Sequence, residues 1–307
     1  MNGALDFHAN GKLLITGEYL VLVGAMALAL PLRFGQKMHV TETEQRIVYW
    51  ESSTAAGQWF TGKFDADTFQ AIYVDNVKIA DELTRVLSAA RKLNPFFLTG
   101  ESGCRVTTRA NYPIEWGLGS SSSLCHLIAG WAGVNAHDLH TLISNGSGYD
   151  VACAGQSEMI FFQLNDGKPK ITPAYAGKAL HENAYFVYLG NKQDTDLEVV
   201  AFLKKINHTK NDVEKVTRLS SLICHAGSYN ELFCLVEEHE SILSRFLKRE
   251  PIARRFPSFP GTAKSLGAWG GDFAMFVSGN EPEEVINILH RLGFAEVFKY
   301  SDIKATS

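Results

Sequence analysis

The sequence predicts an α+β protein, and three of its segments support that prediction. Residues 104–110 alternate in polarity, as a half-buried strand does. Residues 76–93 place an apolar stripe on one face of a helix, which Asn94-Pro95 ends. The stripe consists of Val77, Ala80, Leu83, Leu87 and Ala90. After a strand that ends at Val277, residues 281–292 and 295–300 predict a helix and a further strand, which gives a β-α-β ending.

Length and composition indicate an ordinary globular protein. The 307 residues suffice for two domains or one large domain, and 46% of them are hydrophobic. A formal net charge of −4 offers no basic footprint for nucleic acid. No apolar run approaches the roughly 18 residues that cross a bilayer, and no basic segment leads into an apolar one at the N-terminus. We therefore expect a soluble cytoplasmic protein with neither nucleic acid nor a membrane as partner. The oligomeric state is left open.

The five cysteines and ten histidines form no metal or disulfide pattern. The cysteines are odd in number, widely spaced and without a C-x-x-C pair, so free thiols are expected. No two histidines form an H-E-x-x-H pair. Neither zinc nor a disulfide framework is therefore predicted.

The first segment, residues 7–22, predicts an apolar strand that continues as a buried hairpin or meander. Lys12, Glu18 and Tyr19 lie within this otherwise apolar sequence. A charged side chain in such surroundings requires either a partner or a task.

The next segments lead to a glycine-rich loop. Residues 36–50 predict a strand or hairpin, and the polar residues 51–70 predict an irregular excursion. The helix over 76–93 and the strand over 104–110 follow, and that strand leads to the loop at residue 117.

The loop reads Gly117-Leu118-Gly119, and the four serines 120–123 then begin an amphipathic helix. Glycines let the backbone approach a phosphate closely, and the serines leave amide N–H groups and hydroxyls at the helix start. The helix dipole adds partial positive charge, so the segment predicts an anion site. It is not a Walker loop, because no lysine follows the glycines. A serine-capped helix after a flexible turn is the alternative.

Two further glycine-rich segments follow. The first, residues 144–154, presents Asp150 ahead of a strand over 159–164. Such an aspartate is commonly a turn or cap residue, but its place between glycines and an apolar element favours a functional role. The second runs from Lys264 to Asp272. Between them, the sequence predicts a strand over 185–189 and helices over 198–206, 211–226 and 229–247.

Together these segments resemble the GHMP kinase superfamily, which is named for galactokinase, homoserine kinase, mevalonate kinase and phosphomevalonate kinase. Gly11-Lys12-Leu13-Leu14-Ile15-Thr16-Gly17-Glu18-Tyr19 resembles the first motif of the family. Residues 113–121 resemble the second motif, and residues 264–271 resemble the third. The order and spacing agree with the family, and the three motifs span nearly the whole chain.

The resemblance implies a GHMP kinase fold. An N-terminal domain like domain 2 of ribosomal protein S5 would occupy residues 1–178, and a ferredoxin-like domain would occupy residues 179–307. The resemblance also implies ATP and Mg²⁺ as cofactors and a small acid, or its phosphate, as acceptor. Lys12 would neutralise charge on the transferring phosphoryl group, and Asp150 would orient or deprotonate the acceptor, which agrees with the physics of phosphoryl transfer.

The same resemblance implies two sets of binding residues. The nucleotide would contact Gly117, Leu118, Gly119, Ser120, Ser121, Ser122, Ser123, Gly267, Gly270 and Gly271, with Ser121 as magnesium ligand. The acceptor would contact Glu18, Tyr19, Gly148, Lys192 and Thr195.

Three details are similar to the phosphomevalonate kinase branch: Tyr19 after Gly17-Glu18, residues 146–152, and residues 270–272. Phosphomevalonate is therefore the expected acceptor, with mevalonate as the near alternative and a decarboxylating relative as a further one. A phosphorylated acceptor requires cations besides Lys12. The candidates are Lys37, Arg109, Lys192 and Lys264.

Two departures from the family pattern favour a different class of protein. Trp269 stands where the third motif has glycine. Only 29 positions separate Ser121 from Asp150, which leaves no room for the helix that carries a magnesium-binding glutamate in mevalonate kinases; Asp138 does not align with it. A binding protein that keeps the fold and has lost the reaction is the corresponding alternative.

Overall fold

A computed structural model describes residues 4–190, 208–267 and 272–306. Its strands are β1 (Leu5–Thr16), β2 (Ala27–Thr43), β3 (Ile47–Thr54), β4 (Gly57–Asp65), β5 (Ala71–Val74), β6 (Gly103–Ala110), β7 (Ile160–Asn165), β8 (Lys168–Pro173), β9 (Ala184–Tyr188), β10 (Thr262–Leu266), β11 (Phe273–Val277) and β12 (Val297–Lys299). Its α-helices are α1 (Val77–Leu93), α2 (Ser120–Ala132), α3 (Ala136–Ile143), α4 (Tyr149–Ala154), α5 (Lys178–Asn183), α6 (Lys210–His225), α7 (Tyr229–Leu247), α8 (Pro282–Arg291) and α9 (Tyr300–Ile303). None of these described helices is long and apolar enough to span a membrane.

Close contacts divide the chain into two compact units that alternate along the sequence. The first unit comprises Met1–Gly11, Phe34–Ile114 and Leu118–Gly155. The second unit comprises Lys12–Arg33, Glu115–Gly117 and Gln156–Ser307. The predicted domain boundary after residue 178 stays a prediction.

The first unit is a sheet with helices packed against one of its faces. Its strand order is β5-β4-β3-β6 and then the Gln36–Thr43 part of β2, with β3 and β6 parallel and the other pairs antiparallel. Helices α1 to α4 pack on one another, and α1 and α2 bury their apolar residues with those of the sheet. The largest buried side chains of this core are Trp50, Phe60, Phe64 and Phe69.

Alternation in β6 agrees with the prediction for residues 104–110. Cys104, Val106 and Thr108 are buried, while Arg105 and Arg109 are exposed. The α1 prediction is also confirmed, because Asn76 caps the helix by accepting a hydrogen bond from Ile79 N at 3.3 Å.

The prediction of an irregular excursion over residues 51–70 is wrong for most of that segment. Residues 47–54 and 57–65 pair as the antiparallel hairpin of β3 and β4. The polarity of this segment wrongly indicates exposure, because some of its polar side chains face the core. Ser52 is buried, and its hydroxyl accepts a 2.8 Å hydrogen bond from Thr108 Oγ1. A paired hydroxyl is tolerated in a core, so polarity alone does not exclude a strand.

The second unit contains a four-stranded antiparallel sheet in the order β10-β11-β9-β12. Helices α5, α6 and α7 pack on one another, and α7 contacts β10. The second unit also contains β7, which pairs antiparallel with Ala27–Ala29 of β2 and with β8. Thr209 and Ser228 cap α6 and α7, which confirms the helices predicted over 211–226 and 229–247. The helix predicted over 198–206 lies outside the described residues.

Candidate active site

The glycine-rich loop enters α2 through two glycines in the left-handed region of backbone space. Gly117 has a φ of +67° and Gly119 a φ of +92°, which residues with a side chain rarely adopt. The hydroxyls of Ser122 and Ser123 each donate to Gly119 O at 2.9 Å. These two hydroxyls are therefore used inside the helix, which leaves the backbone N–H groups of the first turn for a ligand.

Ser121 differs from the two serines that follow it. Its side chain is exposed, and its hydroxyl has no hydrogen-bond partner within the described ranges. Among the last three serines of the run, it is therefore the one that presents a free hydroxyl at the helix start.

Two residues of neighbouring strands support the loop within the first unit. Gly11 of β1 lies so close to the loop that a Cβ there would stand 3.0 Å from Leu118 O. Gln36 of β2 is buried and donates from Nε2 to Ser120 O at 3.0 Å. Gly11 therefore serves a close backbone approach, and Gln36 fixes the carbonyl of the first helical residue.

Residues 115–117, which begin the loop, belong to the second unit. The ring of Trp116 packs on Tyr188, Phe273 and Phe298, with centroid distances of 6.0, 6.0 and 5.7 Å. Tyr188 also donates from its hydroxyl to Glu115 O at 3.0 Å. This aromatic anchor, formed by Trp116, Tyr188, Phe273 and Phe298, holds the start of the loop through both ring packing and a hydrogen bond.

Gly117 also contacts two charged side chains of the second unit. Lys12, half-buried on β1, donates from Nζ to Gly117 O at 3.4 Å. On another side, a Cβ added at Gly117 would overlap the carboxylate of Asp272. Residue 117 must therefore be a glycine, because its φ is positive and because the Asp272 carboxylate leaves no room for a Cβ. The Lys12 ammonium lies at the carbonyl of this glycine.

Asp150 lies in the first turn of α4, within the first unit. The preceding Gly148 has a φ of +79°, and Asp150 Oδ1 accepts from Val151 N at 3.0 Å. Burial, and to a smaller extent the charge of Asp150, raise the pKa of Cys125 on α2 to about 12. Helix α4, which carries Asp150, packs against α2, the helix that follows the loop.

Two histidines of α3 pack against the turn before Asp150. A Cβ at Gly148 would lie 2.9 Å from His137 Nδ1 and 3.1 Å from His140 Cδ2. His140 is buried, and its Nε2 is 3.3 Å from Gly146 O. The short segment between Ser121 and Asp150 therefore forms a helix whose histidines support the turn.

Comparison with known proteins identifies the fold. No protein-family model matches the chain, and no curated protein matches it in sequence. Phosphomevalonate kinase of Streptococcus pneumoniae, solved with phosphomevalonate and AMPPNP, matches with a TM-score of 0.72 and 16% identity, over 96% of this chain and 99% of its own. Mevalonate kinase of Methanococcus jannaschii matches with a TM-score of 0.69 and 14% identity, over 100% of this chain and 99% of its own. Galactokinase of Lactococcus lactis, complexed with galactose, matches with a TM-score of 0.69 and 14% identity, over 99% of this chain and 94% of its own.

The chain has the GHMP kinase fold. The predicted α+β class and GHMP kinase fold are thereby confirmed. The resemblance of residues 11–19, 113–121 and 264–271 to the family motifs stays a prediction. Identities of 14 to 16% establish this fold and do not identify an acceptor.

The predicted site residues of this GHMP kinase fold are distributed over both units, and their roles stay predictions. Leu118 to Ser123, Gly148 and Asp150 belong to the first unit, whereas Lys12, Glu18, Tyr19, Gly117 and Gly267 belong to the second. Gly267 has a φ of +70°. Lys192, Thr195, Trp269, Gly270 and Gly271 lie outside the described residues.

Two predicted acceptor contacts, Glu18 and Tyr19, have buried side chains. The Glu18 carboxylate is 1% exposed and pairs with the Lys264 ammonium, which is fully buried. Lys264 is therefore not available as a surface cation for a phosphorylated acceptor.

The candidate cations Lys37 and Arg109 lie opposite each other on β2 and β6. Successive residues of a strand point to opposite faces, and Gln36 points to the face that carries the Ser120 carbonyl. Lys37 and Arg109 therefore occupy the other, exposed face of the sheet. Lys192 is outside the described residues.

The sequence analysis did not predict the aromatic anchor, and it named Asp272 within a motif without predicting its proximity to Gly117. Trp116 was visible as a bulky residue inside a glycine-rich loop, which is a signal that it packs on something specific. The partners Tyr188, Phe273 and Phe298 carry no such signal, since they are ordinary strand residues whose contacts arise only from the tertiary structure.

Proposed function

We propose that the protein is an ATP-dependent kinase that transfers the γ-phosphoryl group to a small acid of the mevalonate route, with phosphomevalonate as the first candidate. The observation that supports this proposal most directly is the Lys12 ammonium at the carbonyl of Gly117, the first glycine of the loop. A lysine at a glycine-rich helix entrance suits a phosphate-bearing ligand, because the lysine and the helix N-terminus attract the same anion.

In this proposal residues 117–123 wrap the nucleotide phosphates, which accept from backbone N–H groups that precede Ser123, since the Ser123 N–H donates to Gly119 O at 2.9 Å. Lys12 neutralises charge that develops on the transferring phosphoryl group, and Asp150 orients the acceptor or accepts its proton. The left-handed Gly117 and Gly119 and the close approach of Gly11 keep side chains away from the loop. Positioning and charge neutralisation of this kind supply most of the catalysis in phosphoryl transfer.

The donor chemistry of Ser121 fits Mg²⁺, which prefers oxygen ligands and retains water and phosphate oxygens in nucleotide sites. Within the described residues there is no group of three His, Cys, Asp or Glu side chains that could hold a metal. Ser121 would therefore be the protein ligand, with its exposed hydroxyl beside the phosphate-binding N–H groups. When bound, the ion would neutralise phosphate charge.

Two acceptors remain in this proposal, and different observations favour them. The sequence details at Tyr19, 146–152 and 270–272 favour phosphomevalonate. The buried Lys264 and the outward position of Lys37 and Arg109 remove three cations that a phosphorylated acceptor would use, which favours mevalonate.

The test is ADP release by the purified protein with magnesium-ATP and a panel of acceptors. The panel contains mevalonate, phosphomevalonate, diphosphomevalonate, homoserine and galactose. Turnover with either of the first two supports the proposal and identifies the acceptor. No turnover with any acceptor, together with no binding of AMPPNP in calorimetry, would reject a kinase in favour of a degenerate binding protein.

The aromatic anchor gives a prediction for nucleotide affinity. Tyr188→Phe keeps the ring packing on Trp116 and removes the hydrogen bond to Glu115 O. Such a bond contributes about 1 kcal/mol to the stability of the folded protein, so we expect the melting temperature to fall by about 2 to 4 °C. Because the bond orders the start of the loop, we also expect the Kd for AMPPNP to rise by up to about fivefold. Tyr73→Phe, at an exposed position of β5, is the matched control. An unchanged Kd in Tyr188→Phe would show that the anchor does not influence the loop.

A further inference from the structure

Four ionisable side chains are buried together in the second unit. Glu18 follows β1, His239 and Glu240 are adjacent on α7, and Lys264 is on β10. Each side chain is at most 2% exposed. None of them reaches solvent, so this buried cluster does not act on the surface.

The contacts of the cluster converge on the turn that follows β1. Lys264 Nζ donates to the Glu18 carboxylate and to Ser265 O, the latter at 2.9 Å, and lies 3.7 Å from Glu240 Oε1. His239 Nε2 accepts from Gly17 N at 3.3 Å and lies 3.7 Å from Glu18 Oε2. Because Nε2 accepts, the neutral imidazole carries its proton on Nδ1. The backbone of Gly17 and the side chain of Glu18 are thus held by different members of the cluster.

The protonation states follow from burial and from the single ammonium group. Burial raises the pKa of Glu240 to about 8, and Lys264 only partly opposes this effect. Burial raises the pKa of Glu18 to about 6, with Lys264 again opposing. Burial, and then Lys264, hold the pKa of His239 well below its ordinary value. Near pH 7, one ammonium therefore faces one carboxylate, while Glu240 is protonated and His239 is neutral.

Stability alone is a poor explanation for this cluster. Buried charges lose their hydration, and apolar side chains of similar size often stabilise a core at least as well. The turn that the cluster holds is, however, unusual. Gly17 has a φ of +87°, and a Cβ there would lie 2.7 Å from Ala27 Cα. Tyr19 is a non-glycine residue with a φ of +59°. Backbone in such conformations persists where the surroundings fix it.

We propose that Lys264, Glu240 and His239 are positioning residues that fix the Gly17–Tyr19 turn and, through the continuous strand β1, the ammonium of Lys12. This inference rests on the proposed function, because Lys12 is assigned to phosphoryl transfer there. Lys12 precedes the end of β1 at Thr16 by four residues, so a displaced turn would move the end of the strand that carries it. The cluster would thus act on turnover without touching substrate.

The first test removes both charges of the ion pair while keeping side-chain size. Glu18→Gln combined with Lys264→Met leaves no buried charge that lacks a partner, so we expect a folded protein with cooperative unfolding. Amide hydrogen exchange at Gly17 should be at least about tenfold faster, and kcat at least about tenfold lower, with the KM for ATP within about twofold. Wild-type exchange at Gly17 and wild-type kcat in the folded double variant would overturn the proposal.

His239 offers a matched pair of variants. In His239→Gln the amide oxygen can still accept the Gly17 N–H, whereas His239→Leu offers no acceptor. We expect slow Gly17 exchange and near-normal kcat in the first variant and fast exchange with reduced kcat in the second. Equal behaviour of the two variants would count against the assigned role of His239. Exchange needs no turnover, so a wild type that is inactive with every acceptor would reject the proposed function alone.

The second test uses pH and remains informative if the double variant does not fold. Glu240 faces Lys264 of β10 and Glu18 of the turn, and His239 is its neighbour on α7. In the folded protein the pKa of Glu240 is raised from 4.5 to about 8. Its favourable contribution to the free energy of unfolding is therefore complete below about pH 4.5 and is lost as the pH rises to about 8. The melting temperature of Glu240→Gln relative to wild type should therefore increase from pH 5 to pH 8 by about 5 °C. Gly17 exchange, corrected for its intrinsic pH dependence, should accelerate above pH 8 in wild type alone. A pH-independent difference between the two proteins would contradict the proposal.

Discussion

Lys12→Met should lower kcat at least about 100-fold with the acceptor that the panel identifies, because the variant keeps the length of the side chain and loses its charge. The Lys12 ammonium lies 3.4 Å from Gly117 O, at the first glycine of the loop. A cation that acts on the transferring group stabilises the transition state more than the bound nucleotide. The KM for ATP should therefore change far less than kcat.

Lys63→Met is the matched control for Lys12→Met. Lys63 is exposed on β4 and lies over the ring of Tyr49, 5.6 Å from its centroid. Its loss removes the same charge from the protein at a position outside the candidate site. A reduction in kcat of less than about threefold in Lys12→Met, or an equal reduction in both variants, would remove Lys12 from the proposed chemistry.

Asp150→Asn should distinguish the two candidate acceptors. A hydroxyl acceptor such as that of mevalonate must lose its proton, and loss of a general base typically costs a factor of 10² to 10⁴ in rate. A phosphate acceptor is largely ionised near pH 7, so Asp150 would then orient the acceptor and the loss in kcat should be nearer tenfold. Asp81→Asn, at an exposed position of α1, is the control. Unchanged kcat in Asp150→Asn would show that this aspartate serves only its own helix.

Gly117→Ala should affect both stability and nucleotide binding. The alanine would adopt a φ near +67° and would place its Cβ against the Asp272 carboxylate. A left-handed alanine costs about 1 kcal/mol, and forced displacement of a packed neighbour adds about 1 to 3 kcal/mol. We therefore expect denaturant unfolding to show a loss of about 3 kcal/mol and calorimetry to show at least tenfold weaker AMPPNP binding.

Gly133 provides the control that separates these two causes. It ends α2 with a φ of +65°, and nothing in the described part of the chain lies within 4 Å of a Cβ added there. Gly133→Ala therefore introduces the backbone strain without the clash and should cost about 1 kcal/mol. Gly117→Ala combined with Asp272→Ala should recover stability to that level. Equal losses in Gly117→Ala and Gly133→Ala would show that Asp272 does not constrain the loop.

The sequence allowed the loop and the single residues Lys12 and Asp150 to be predicted because their signals are local. Glycines followed by serines at a helix start are compatible with an anion site and with a serine-capped helix after a turn, and the other segments of the chain favour the first. A lone lysine or aspartate in an apolar or glycine-rich segment is likewise visible in a short window. The GHMP kinase fold was implied by the resemblance of three such short segments, in their order along the chain, to the motifs of that family.

The buried cluster could not be predicted by the same means. Glu240 and His239 lie in an amphipathic helix, where the sequence alone predicts a surface position for either residue. For Lys264, the sequence predicts a cation that contacts the acceptor. Only the packing of α7 and β10 around the turn after β1 buries them together. The β3–β4 hairpin was missed for a related reason, since Ser52 is satisfied by Thr108 of a strand that is distant in sequence.

The ion pair between Glu18 and Lys264 also has a consequence for synthesis of the chain. Its two residues are separated by 246 positions. At a translation rate of about 5 to 20 residues per second, Glu18 leaves the ribosome roughly 10 to 50 s before its partner. During that interval an acidic residue destined for the interior has no cation to meet it. The turn after β1 therefore reaches its final form only after the segment that carries Lys264 has been synthesised, and the segment that carries Lys12 becomes competent no earlier.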